Sequence, residues 1–199
     1  TRQNFQMNWP KLEDVPDILA ELATVQMHAI QSSGNCIRNT TSDQFAGINA
    51  NEIEDPRPWA EIIRQWSTFH PEFAYLPRKF KIGIAIPPFN DSDVYINDIA
   101  AVAIIKEQKL QGFNIAVGGG LAMTFGRPDT YPRLASDVAY IEPEKLLDVC
   151  KTVLEIQRDF GDRTDRKQGR LKYTVDRMGV DNFKAMMEER LGYKLAPAK

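Results

Sequence analysis

Three cations, Arg78, Lys79 and Lys81, fall within four positions of one another. Over residues 79–86 the two lysines alternate with Phe80, Ile82, Ile84 and Ile86. Period-two spacing puts both ammonium groups on one face of a strand and the apolar side chains on the other. Like charges at that spacing repel, and when partly buried they need an anion to stay charged. Capture of a small anion suits this pattern; a solvated edge strand carrying lysines is the alternative. Arg38, in the run Asn35 to Thr40, is a second candidate cation beside hydroxyls, although a lone arginine is most often simply exposed. At the start of the chain Arg2, Asn4, Gln6 and Asn8 alternate with Phe5, Met7 and Trp9. Arginine and amides on one face suit carboxylate recognition; the same face could equally meet only solvent.

The remaining motifs are weaker. Gly118-Gly119-Gly120 permits left-handed backbone or close approach of a ligand. It lacks the Walker lysine and the spacing of a dinucleotide loop, so a plain turn is the expectation. Between Arg158 and Arg177 the bases Arg158, Arg163, Arg166, Lys167, Arg170, Lys172 and Arg177 are interleaved with Asp159, Asp162, Asp165 and Asp176. The regular mixing predicts a helix laced by ion pairs rather than a nucleic-acid helix. Cys36 and Cys150 form no CxxC pair, and His28 and His70 are isolated, which predicts helix-face histidines and no metal site in the chain. Nothing sets either histidine beside a thiol or a serine for nucleophilic catalysis.

These groups need elements to position them. The pattern predicts a strand over 1–9, a helix over 14–30 and a short strand over 36–40. A loop over 43–55 leads to a helix opened by Asp55-Pro56. Strands follow at 79–86, 100–105 and 113–117, the last two joined by a polar turn from Lys106 to Gly112. A helix over 143–160 and two shorter ones within 163–192, broken near Gly179 and Gly192, complete the chain, with a loose tail from Leu195. This order predicts an α+β fold with hairpin and crossover connections, a mixed or antiparallel sheet with helices packed on it.

Composition narrows the function classes. Of 199 residues 43% are hydrophobic and 26% charged, which excludes extensive disorder. No run approaches the ~20 apolar residues of a membrane span, and the first residues lack a secretory signal. Twenty-five bases against 27 acids give a net charge of −2, which argues against a global polyanion-binding surface. The expectations are no membrane, no nucleic acid and, from two free thiols, a reducing compartment such as the cytoplasm. The chain starts Thr1-Arg2-Gln3-Asn4 on a patterned segment, which reads as a piece of something longer.

Several segments in order resemble the siroheme-containing sulfite and nitrite reductases, the sulfite reductase hemoprotein in particular. They are Thr1 to Gln6, Arg38 with Asn39, Tyr75-Leu76-Pro77-Arg78-Lys79-Phe80-Lys81, Gly112-Phe113-Asn114 with Val117 to Leu121, and Gln157 to Gly161 running through Arg163-Thr164-Asp165-Arg166-Lys167 to Lys172-Tyr173-Thr174. The resemblance implies siroheme coupled to a 4Fe–4S cluster, and six-electron reduction of sulfite to sulfide, or of nitrite to ammonia. It implies that Arg38, Lys79 and Lys81 surround the reacting anion, that Arg2, Asn4, Gln6 and Arg78 hold the cofactor, and that electrons come from ferredoxin or an NADPH-linked flavoprotein. Lys81 stands where plant-type nitrite reductases have asparagine, which favours sulfite. Siroheme carries eight carboxylates, so a polar, cationic face is what it needs.

The same resemblance implies that residues 1–70 end one ferredoxin-like half-domain and that 71–199 form a siroheme-binding sulfite/nitrite reductase domain. The family's four cluster cysteines have no counterpart in Cys36 and Cys150. The expectation is a fragment without the cluster half, inactive alone. A non-catalytic module that binds an anion or a partner through the same basic face is the alternative of another class.

Overall fold

The computed structural model describes residues 3–199. Its centre is a mixed five-stranded sheet in the order β1 (Ile37–Thr41), β2 (Phe80–Ala85), β3 (Ile99–Lys106), β4 (Lys109–Val117) and β5 (Ser136–Ile141). The first three strands run parallel, and β3 to β5 are antiparallel. Parallel neighbours require crossovers. Helix α2 (Arg57–Ser67) supplies the one between β1 and β2, and residues 86–98 with a short 3₁₀ turn supply the other. The β3–β4 link is tighter than the expected turn: Glu107 and Gln108, with φ of 52° and 59°, make a two-residue hairpin loop, so β4 starts at Lys109.

One face of the sheet carries the core. Phe80, Ile82, Ile84, Ile99, Phe113 and Ile115 are fully buried beneath α2, α3 (Leu146–Phe160), α4 (Leu171–Met178) and α5 (Val180–Leu191). At ~1.5–3 kcal/mol for each large buried apolar side chain, this layer dominates the stability. The other face is built of small residues, Ala85, Ala100, Ala116 and Ala135 around Val94, which lets loops lie close against it. The α+β class and the mixed sheet with packed helices are as expected. Among the described residues no helix is long and apolar enough to cross a membrane.

The differences lie at the ends. Residues 3–9 form no strand, and Arg2 lies outside the described residues. Alternation alone does not make a strand without a ladder to join. Asn4 reaches β1 by its side chain, its Nδ2 donating to Asn39 Oδ1 at 3.3 Å, and Phe5 and Trp9 stay exposed. The expected helix over 14–30 is α1 (Val15–Ala23) alone. It buries no residue, so its apolar stripe has nothing to prolong it, and Gln26 turns left-handed at φ 60°. Strand β5 was not anticipated. The tail is not loose: Ala196 pairs with Tyr140, and Asn114 exchanges two hydrogen bonds with the Lys199 backbone. Residues 161–170 are irregular, so the expected first C-terminal helix begins only at Leu171. Neither histidine is on a helix face; the Nδ1 atoms of His28 and His70 accept the backbone N–H groups of Ile30 and Glu72.

Candidate anion-binding site

At the β1–β2 edge of the sheet, Arg38, Lys79 and Lys81 line one polar cavity of about 390 Å³, closed on its other side by Ser32 and the stretch from Asn4 to Asn8. The fold brings them together in a simple way. Ile37 pairs with Phe80 and Thr40 with Ile82, and the register slips between these two pairs. A slip of this kind re-aims side chains, and Arg38 falls within it. Phe80 and Ile82 anchor β2 in the core, so pleating puts Lys79 and Lys81 on the opposite, partly open face. Arg38 is pre-set by the Ser32–Gly34 turn. Its Nε and one terminal nitrogen donate to the Gly34 carbonyl at 3.1 and 2.8 Å, and the other donates to Ser32 at 2.7 Å.

Lys79 also lines a smaller cleft, about 90 Å³, with Arg78, Arg166, Lys167, Arg170 and Lys172. Burial first, then Arg170, Arg78 and Arg38, push the Lys79 ammonium below its ordinary range, with Asp98 acting against them. Arg78 is pushed down by the same causes, burial and then Arg166, Arg170 and Arg38. A lysine in such a setting binds an anion and gives up a proton more readily than an exposed one. Of the residues expected at the site, Asn4, Gln6, Arg38, Lys79 and Lys81 share the cavity, whereas Arg78 belongs to the adjoining cleft.

One residue escaped the sequence reading, and two others play a different part from the one expected. Asp98 is fully buried and holds Arg170 by two hydrogen bonds, 3.1 and 2.9 Å. Lys172 is 1% exposed. Its ammonium donates to the carbonyls of Gly120, Ala122 and Tyr131 and lies over the Tyr173 ring. Burial, then Arg170, push it down to about 8. The ion-pair-laced helix expected here is therefore corrected. Arg170 and Lys172 are structural cations inside the molecule, and other pairs such as Arg127–Asp165 and Arg158–Glu72 bridge separate segments. The usable signal was Asn97-Asp98 set between Ile96 and Ile99, a polar pair inside an apolar run.

The triple glycine is more than a turn. Gly118 has φ +82°, and a Cβ on Gly119 would meet the carbonyl oxygens of Tyr95 and Asn97 at 2.2 and 2.4 Å. Close backbone approach therefore requires glycine there. This seats the loop that Lys172 ties down.

Residues 33–195 match the nitrite and sulphite reductase 4Fe–4S domain. The chain belongs to this family. It is 45% identical over 184 residues to the sulfite reductase [NADPH] hemoprotein beta-component of Nitrobacter hamburgensis, covering 92% of the chain and 31% of that relative. It is 54% identical over 125 residues to the protein of the same name from Bacillus velezensis, covering 63% of the chain and 22% of the relative. Among solved structures, the NirA protein of Mycobacterium tuberculosis superposes with a TM-score of 0.81 at 30% identity, over 96% of this chain and 34% of that one. The chain thus spans about a fifth to a third of the length of these relatives.

The family description names a 4Fe–4S cluster, which takes four cysteine thiolates. The two cysteines here do not fit it. Cys150 is fully buried with its thiol pushed up to about 12 by burial, and Cys36 donates to the Ser33 carbonyl. The donor set of the cavity does fit a polycarboxylate such as siroheme: cations and amides line one polar cavity.

Proposed function

We propose that this chain forms the anion-binding side of a siroheme-dependent sulfite reductase that reduces sulfite to sulfide by six electrons. The observation that carries this reading is the convergence of Arg38, Lys79 and Lys81 on one cavity beside Asn4 and Gln6. Siroheme, when bound, supplies the electrons to the substrate. The chain's own residues do the rest. Arg38, its fork already oriented by Ser32 and Gly34, clamps one edge of the oxyanion. Lys79 and Lys81 face the departing oxygens; each leaves as water and so needs protons, and Lys79, its hold on a proton weakened by burial and by Arg170, delivers them. One unit charge pair at ~4 Å is worth ~4 kcal/mol at an effective dielectric near 20, before desolvation.

Asn4, Gln6 and Arg78, with Arg2 in the adjoining sequence, are the proposed cofactor-holding groups. The cluster ligands come from other parts of the parent protein in this reading. The names of the Nitrobacter and Bacillus relatives support NADPH as the source of electrons, through a flavoprotein, over ferredoxin. The test is sulfite-dependent oxidation of reduced methyl viologen by the full-length protein, with sulfide measured as product. The reading predicts turnover with sulfite preferred over nitrite. Preference for nitrite moves the substrate to that anion, and inactivity with both overturns the reading.

A further inference from the structure

Asp98 sits where three parts of the site meet. Its carboxylate Oδ2 accepts the Lys81 backbone N–H at 2.8 Å and an Arg170 terminal nitrogen at 2.9 Å, while Oδ1 accepts Arg170 Nε at 3.1 Å. Its main-chain carbonyl accepts the Gly118 N–H at 2.9 Å. One residue therefore ties the strand bearing the two lysines, the triple-glycine loop and the basic segment that leads into α4. The carboxylate is fully buried and Arg170 is 8% exposed.

The charges around Lys79 give this arrangement a second consequence. On the cavity side Lys79 meets Arg38 from β1 and Lys81 from β2. On the cleft side it meets Arg78, then Arg166, Lys167 and Arg170 from the irregular segment, and Lys172 and Tyr173 from α4. Among these neighbours Arg170 is the charge that most opposes a proton on Lys79, and Asp98 is the charge that favours it. The two are locked to each other.

We propose that Asp98 is a positioning residue for the anion site: by pairing with Arg170 and holding the Lys81 backbone, it keeps Lys79 protonated when the anion is bound. This rests on the function proposed above. The mechanism is charge compensation, so its two halves have opposite signs. Removing the carboxylate leaves Arg170 unopposed and lowers the affinity of Lys79 for its proton. Removing the guanidinium leaves the carboxylate unopposed and raises it. A purely structural role for the pair has no such sign change, because either substitution then loosens the same contacts.

The test uses the full-length protein as wild type, Asp98→Asn and Arg170→Gln. The protonation midpoint of Lys79 is read from the pH dependence of its acetylation by acetic anhydride, by peptide mass spectrometry, with the exposed Lys109 as internal reference. The expected result is a midpoint moved acid by about one pH unit in Asp98→Asn and alkaline by about one in Arg170→Gln. The alkaline limb of kcat/KM for sulfite moves in the same directions. Shifts of the same sign, or no shift in either variant, overturn the proposal and leave Asp98 a packing residue. If Asp98→Asn does not fold, the alkaline shift in Arg170→Gln decides alone, and its absence overturns the proposal. If the wild type reduces neither sulfite nor nitrite, the functional reading fails separately, because the labelling needs no turnover.

Discussion

Lys172 and Lys79 line the same small cleft, yet their surroundings differ completely. The Lys172 ammonium spends all its donors on three backbone carbonyls and is closed over by Tyr131 and Tyr173. Lys79 instead faces Arg38, Arg78 and Arg170 and opens onto the larger cavity. A lysine has three N–H donors and no acceptor, so what stands around it decides its work. Where the backbone supplies the oxygens, the cation is a fastener for the loop from Gly118 to Tyr131. Where the neighbours are mostly cations and the one carboxylate acting on the lysine, Asp98, is already paired with Arg170, the site favours further negative charge from a ligand.

The comparison can be broken from either side. The largest expected effect is on activity: Lys79→Met in the full-length protein lowers kcat/KM for sulfite about 10²–10³-fold, the size of effect seen when one preorganised transition-state donor is lost. The unfolding free energy of the same variant stays within about 0.5 kcal/mol of wild type or rises, because repulsion is relieved. An unchanged kcat/KM would place Lys79 with the fasteners. Next comes stability. Lys172→Met leaves the carbonyls of Gly120, Ala122 and Tyr131 without their donor and costs about 3 kcal/mol, read from urea unfolding. A neutral result would mean that Lys172 belongs with the ligand-seeking cations.

Smaller effects sharpen the same contrast. Arg38→Lys keeps the charge but loses the fork fixed by Ser32 and Gly34, and weakens sulfite binding about tenfold, with the change in KM larger than that in kcat. Arg64→Ala breaks the surface pair with Glu61 on α2 and changes the unfolding free energy, read from urea unfolding, by less than about 0.5 kcal/mol. It serves as the reference for a cation that neither fastens nor binds.

Where a segment carried its own reason to fold, its pattern was legible. Phe80, Ile82 and Ile84 announced β2 and, with it, the face on which Lys79 and Lys81 stand. The spacing in α3 was equally clear, because Val149, Val153 and Ile156 bury one stripe. Residues 3–9 alternate just as cleanly and form no strand, because a strand exists only with a ladder to join, and Asn4 meets β1 through its side chain. α1 stopped early for a related reason: its apolar stripe meets no core. Strand β5 hid because Val138, Ala139 and Ile141 are few and follow a proline-marked loop, while its pairing with β4 depends on residues far away.

The candidate site divides in the same way. Arg38, Lys79 and Lys81 could be named from local pattern and resemblance. The partnership of Asp98 with Arg170 spans 72 positions and was invisible in either segment alone. Lys172 misled for a physical reason. In sequence it is one more base in a basic run, and only the fold shows that three carbonyls surround it.

The most direct test of the anion site is a crystal structure of the full-length protein with sulfite bound. The account predicts the anion in the cavity of Arg38, Lys79 and Lys81, with its oxygens about 3 Å from those three side chains. Sulfite seated away from all three, with the cavity left to solvent, would contradict it.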